Sequence, residues 1–136
     1  MAALFVFEVH TPYHPFFSGD VEAVTLTLID GEIGIYANHS PFTAIVTSGL
    51  LRVKDKDGAW RTAFISGGIL EVKEHKTVLI VQAAEWPEEI DKERAIASGE
   101  RAEEKIKTAM LKFETEIARE KLLRSQFRLK VAALAK

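Results

Sequence analysis

Four arginines toward the end of the chain have the spacing of an anion-binding site. Arg124 and Arg128 are four residues apart and Arg94 and Arg101 are seven apart, so within each pair the side chains can share one helix face. If two helices fold antiparallel there, these guanidinium groups converge on one anion. Guanidinium suits phosphate because its planar donors bind two oxygens at once. Two carboxylates lie close in sequence, Asp91 and Glu85. Plainer roles stand beside these. Asp91 can cap its helix and pair with Arg94. Glu120, four residues before Arg124, can form a surface ion pair with it worth roughly 0.2–0.5 kcal/mol.

Other chemistries find no support. There is no Gly-x-x-x-x-Gly-Lys-Ser/Thr loop of a P-loop ATPase. The four histidines, at 10, 14, 39 and 75, lack metal-site spacing, and Pro12 and Pro15 argue against a helix face shared by His10 and His14. No serine sits in a nucleophile elbow. Glu103-Glu104 reads as part of a solvated helix. No catalytic centre and no metal ligand set emerges, so any phosphate ligand is expected to depend little on magnesium.

The elements that must carry the arginines begin at Pro87. From there to Lys136 the only glycine is Gly99, and Ala, Glu, Lys, Arg and Leu dominate, all strong helix formers. Asp91 is a natural N-cap, and Pro87-Glu88-Glu89 supplies acidic residues near a helix start. Apolar residues recur at Ile106, Met110, Phe113 and Ile117, then at Leu123, Phe127, Val131 and Leu134. Each set marks one helical stripe. The phase slips between Ile117 and Leu123, which predicts two helices with a bend between Thr108 and Thr115. That bend lacks a Gly-Pro breaker. A packed hairpin and a longer, extended pair of helices are both open, separated by a free energy that a ligand can shift.

The preceding residues read as short strands. Val21 to Leu28 alternates with a period of two. Leu50–Val53 and Trp60–Ile65 flank a charged turn ending Asp57-Gly58, a hairpin signal, and Ile69–Val72 and Thr77–Val81 flank a second. Turn signals about every ten residues, with no helix between, predict an antiparallel sandwich over residues 1–86 and a helical domain over 87–136. The fold class expected is therefore α+β.

Composition agrees with a chain that needs no staples. It has 136 residues, no cysteine and a net charge of −2. The absence of thiols fits a reducing compartment. The N-terminus does not read as a signal peptide, and no window approaches the roughly 18 apolar residues of a membrane span. Residues 1–86 carry −4 and residues 87–136 carry +2, while the end from Arg119 is locally +5. Such a segment attracts an acidic partner, a phosphate or a nucleic acid. Nucleic acid is disfavoured, since after Phe113 only Phe127 is aromatic and no stacking platform exists.

Two motifs carry a family resemblance. Asp30-Gly31-Glu32-Ile33-Gly34-Ile35-Tyr36-Ala37-Asn38-His39-Ser40-Pro41 and Ser66-Gly67-Gly68-Ile69-Leu70-Glu71-Val72 resemble, in order and spacing, stretches of the epsilon subunit of the bacterial F-type ATP synthase. The likeness covers about residues 4–134. Ala37-Asn38 replaces a usual Pro-Gly pair, and Leu26-Thr27-Leu28-Ile29 replaces a more polar stretch. By residue type alone, Gly31, Gly34, Gly67 and Gly68 are turn or bulge positions, and Glu32 and His39 are ordinary surface groups.

The resemblance implies a non-catalytic central-stalk subunit at the cytoplasmic face of the bacterial plasma membrane, peripheral within the synthase complex. Its partners would be the gamma shaft, the c ring, and the catalytic beta and alpha subunits. It makes Glu32 and His39 candidate contacts toward the c ring. Ile90-Asp91-Lys92-Glu93-Arg94-Ala95 resembles the motif of those family members that bind ATP. By the same resemblance, Glu85, Asp91, Arg94, Ala95, Arg101, Arg124 and Arg128 form a candidate ATP site, with ATP a regulatory ligand and no cofactor required. An extended helical arm would meet an acidic loop of the beta subunits and obstruct hydrolysis. A free-standing nucleotide sensor is the rival, separable by co-purification with gamma.

Overall fold

The computed structural model describes residues 3–28 and 30–135. Ile29 and Lys136, which enter the motif comparison and the basic tail, lie outside the described residues. The described chain divides into two compact units, with the division between Glu85 and Trp86.

The first unit is built of strands. In chain order they are β1 (Phe5–His10), β2 (Pro15–Leu28), β3 (Gly31–Tyr36), β4 (Phe42–Val46), β5 (Gly49–Asp55), β6 (Trp60–Ile65), β7 (Gly68–Val72), β8 (Lys76–Val81) and the short β9 (Ala84–Glu85). The long β2 serves two leaves. Its first half pairs with β1, and Ala23–Leu28 pairs with both β3 and β5. A register shift between Val21 and Ala23 bends the strand where it passes from one leaf to the other. The first leaf runs β4-β7-β8-β1-β2 and the second continues from β2 through β5 and β6 to β9, with β3 on β2. Every pair is antiparallel except β1 with β8, which run parallel.

Alternation explains the core. Phe7 and Val9, Val24 and Leu26, Leu51 and Val53, Leu70 and Val72, and Leu79 and Val81 are all buried, each pair two residues apart on one face of its strand. This is the expected α+β architecture, a sandwich followed by helices. The Asp57-Gly58 turn closes β5–β6 as read from sequence, with Gly58 at φ 86 and the Asp55 carboxylate accepting from the backbone N–H groups of Asp57 (2.9 Å) and Ala59 (3.0 Å). Gly34 departs from its turn assignment. It lies inside β3 opposite Thr25, because pairing with β2 outweighs the low strand propensity of a segment with two glycines.

The second unit opens with a 3-10 turn at Pro87–Glu89, followed by α1 (Lys92–Thr108) and α2 (Lys112–Ala132). The bend is Ala109-Met110-Leu111, inside the expected interval and free of Gly and Pro. It is weakly fastened. Leu111 caps α2 with no side-chain hydrogen bond, and the Thr108 hydroxyl turns back to donate to Glu104 O (3.1 Å).

The helices meet through small residues. Ala95, Gly99 and Ala102 of α1 and Ala118, Ser125 and Ala132 of α2 are buried. Ser125 Oγ donates to Ala95 O at 2.7 Å, and a Cβ added at Gly99 would lie 2.5 Å from that oxygen. Of the first apolar stripe, Met110, Phe113 and Ile117 are turned out. Met110 is 93% exposed, Phe113 58% and Ile117 52%. The physical reason is that backbones drawn together by Ala and Gly leave no room between them for Phe and Met. In the second stripe Phe127 and Val131 are buried, while Leu134 is exposed.

Candidate anion-binding site

A cleft of about 500 Å³ runs between α1 and α2. Arg101 and Lys105 line it from α1, and Lys121, Arg124 and Arg128 from α2. Glu114, whose carboxylate Oε2 accepts from Met110 N at 3.4 Å, is the one acidic group in its wall. Ala102, Ala118 and Ile117 supply apolar surface. Antiparallel packing therefore brings three of the four sequence-marked arginines together, with two lysines that the motif did not single out. The lysines were findable from spacing: Lys105 is four residues after Arg101, and Lys121 is three before Arg124.

The remaining candidates take other positions. Asp91 is the N-cap of α1, its carboxylate accepting from Arg94 N at 3.0 Å, so its plainer role is realised. Arg94 is exposed on the first turn of α1 and is not in the cleft wall. Ala95 is buried in the helix seam and presents its carbonyl to Ser125. Glu85 ends β9 opposite Phe64, in the sandwich unit. Five cations against one carboxylate make the cleft an attractive field for a multiply charged anion. Lacking aromatic walls, it is suited to phosphates and not to a stacked base.

Glu32 and His39 are both exposed. Glu32 is the second residue of β3 and pairs across to Thr27, whereas His39 follows the far end of that strand. Four strand steps, on the order of 13 Å, separate Glu32 from Tyr36, so the two side chains belong to opposite ends of β3. The His39 ring lies 5.1 Å from that of Phe42, and its Nδ1 is 2.9 Å from Ser40 O. Asn38 before it adopts φ 65, the left-handed conformation that a glycine would take and asparagine tolerates. That accounts for Ala37-Asn38 standing where the resemblance leads one to expect Pro-Gly.

A family model described as the ATP synthase, Delta/Epsilon chain, beta-sandwich domain matches residues 4–87. The ATP synthase epsilon chain of Caldicellulosiruptor bescii is 48% identical over 130 residues, covering 96% of this chain and 94% of that one. That of Caldanaerobacter subterraneus subsp. tengcongensis is 47% identical over 134 residues, covering 98% and 96%. The chain belongs to the ATP synthase epsilon family. It is thus a non-catalytic subunit. Solved chains share the fold at lower identity. One from the Euglena gracilis mitochondrial ATP synthase superposes with a TM-score of 0.81 at 23% identity, covering 99% of this chain and 84% of that one. One from the central stalk and c ring of the Tetrahymena thermophila enzyme gives 0.62 at 14%, covering 96% and 98%. No helix among the described residues is long and apolar enough to cross a membrane.

Proposed function

We propose that this epsilon-family chain is a central-stalk subunit whose sandwich joins the gamma shaft to the c ring and whose helical hairpin restrains ATP hydrolysis. It acts at the cytoplasmic membrane face through its complex. Glu32 is the residue offered to the c ring, and His39 a second partner contact from the other end of β3. The observation that carries the regulatory part is the apolar stripe of Ile106, Met110, Phe113 and Ile117, of which Met110, Phe113 and Ile117 are exposed. It keeps unbroken helical spacing across a bend that has no glycine or proline. In the hairpin Met110, Phe113 and Ile117 stay largely open to solvent. In an extended arm the stripe becomes one continuous apolar face that a partner can bury.

ATP is the ligand that sets the balance. Arg101, Arg124 and Arg128 hold the phosphates between the two helices, with the nucleoside toward the start of α1, where Asp91, Arg94 and Ala95 lie. Because the arginines come from both helices, ATP binds the hairpin better than an opened arm and favours the uninhibited state. Low ATP releases the arm, and its basic surface from Arg119 onward meets an acidic loop on the catalytic beta subunits. Wasteful hydrolysis then stops. Removal of residues 88–136 from the assembled synthase tests this. Assembly is expected to persist and latent ATPase activity to rise; unchanged hydrolysis contradicts the regulatory role.

A further inference from the structure

We propose that Lys105 and Lys121 engage the terminal phosphate of the bound nucleotide and set a preference for a triphosphate over a diphosphate. This rests on the ATP reading of the cleft, and adds two residues that the ATP-site motif did not include. Both lysines line the same cleft as the three arginines. Their place along it follows from helix geometry. Side chains lean toward the N-terminus of their own helix. In an antiparallel pair, those of α1 lean away from the bend and those of α2 toward it. The Ser125–Ala95 hydrogen bond fixes the axial register, and the buried pair Ala118 and Ala102 continues it. On that register Arg101 leans to meet Arg124 and Arg128. Lys105 leans to meet Lys121 about one helical turn, on the order of 5 Å, nearer the bend.

A nucleotide whose nucleoside lies toward Asp91 occupies the cleft from the end away from the bend. Its inner phosphates reach the arginine group first, and its outermost phosphate reaches the lysine pair. An ammonium on a flexible stem, with three donors, suits a terminal phosphate that presents three oxygens. Beyond the lysines the cleft wall carries Glu114, a carboxylate that repels any further anionic group. A diphosphate ends at the arginines and leaves the lysines unused.

The test is calorimetric titration of ATP and of ADP into the full chain, comparing wild type, Lys121→Gln and the double variant Lys105→Gln/Lys121→Gln. Both lysines are exposed, and helical circular dichroism checks that the hairpin persists. The double variant should bind ATP about tenfold more weakly, the effect of losing a charge-assisted bond, while ADP changes by less than about twofold. ATP binding that survives both substitutions, or equal weakening of ATP and ADP, overturns the assignment and leaves the arginine site standing. A wild-type chain that binds neither nucleotide removes the ATP reading and this assignment together.

Discussion

Replacing Gly99 by alanine should loosen the helical hairpin while making its first helix intrinsically more stable. A methyl group there would lie 2.5 Å from Ser125 Oγ and 3.4 Å from Ser125 Cβ. The hydroxyl must swing away and give up its 2.7 Å bond to Ala95 O, or the helices must part. Overpacking costs about 1–3 kcal/mol, and a buried hydroxyl left without its partner about 1–3 kcal/mol more. Alanine in place of glycine returns about 0.8–1 kcal/mol of helix propensity. The net loss expected is about 1–5 kcal/mol of hairpin closure. Amide hydrogen exchange resolved along α1 and α2 reads it directly, as faster exchange throughout both helices and none in β1–β8. Ser125→Ala in the Gly99→Ala background removes the oxygen from the clash, and part of the protection should return. If Gly99→Ala exchanges as slowly as wild type, or the second substitution loosens the hairpin further, the close approach of the two helices is not what holds them.

Other outcomes follow from the same packing. A Cβ at Gly68 would collide with the backbone carbonyl of Ile80, so Gly68→Ala should sharply lower the thermal midpoint of the sandwich, whereas Gly58→Asn, in a turn with open space and positive φ, should shift it little. Hydrogen bonds from His10 (2.8 Å) and then Lys76 (3.0 Å) hold the Glu8 carboxyl below the usual glutamate range. Their contribution is therefore present above that range and lost as acid protonates Glu8. An NMR titration should find its midpoint depressed and His10→Ala should raise it; an unshifted midpoint in wild type refutes the cluster. Phe113→Ser removes an exposed ring and should change hairpin stability by no more than about 0.5 kcal/mol, yet weaken inhibition in the assembled enzyme. Inhibition undiminished by that change would sever the exposed stripe from the regulatory state.

What the sequence revealed depended on whether a signal was local. Asp57-Gly58 announced its hairpin because turn geometry is set by a few adjacent residues. Asp91 was legible for the same reason, as a capping residue, whereas the bend falls at Ala109-Met110-Leu111 and the slip of phase between Ile117 and Leu123 lies inside α2. β3 was hidden because Gly31 and Gly34 mimic turn chemistry, and only pairing with β2 makes a strand of them. The helix seam escaped notice because Ala95, Gly99, Ala102 and Ser125 carry little hydrophobic signal. That seam decides which face turns inward, and it leaves the conspicuous Met110, Phe113 and Ile117 outward. The arginines were legible as faces, and their convergence with Lys105 and Lys121 required the register that Ser125 supplies.

The claim on which the account turns is that a ligand binding across both helices governs this hairpin. Titrating ATP into the wild-type chain and into Arg124→Ala/Arg128→Ala, with binding heat and helix amide protection followed together, tests it most directly. Saturable binding that raises protection in α1 and α2, and that is lost in the double variant, is the predicted result. The contrary result is a wild-type chain with no saturable heat, or a double variant that binds ATP as well as its parent.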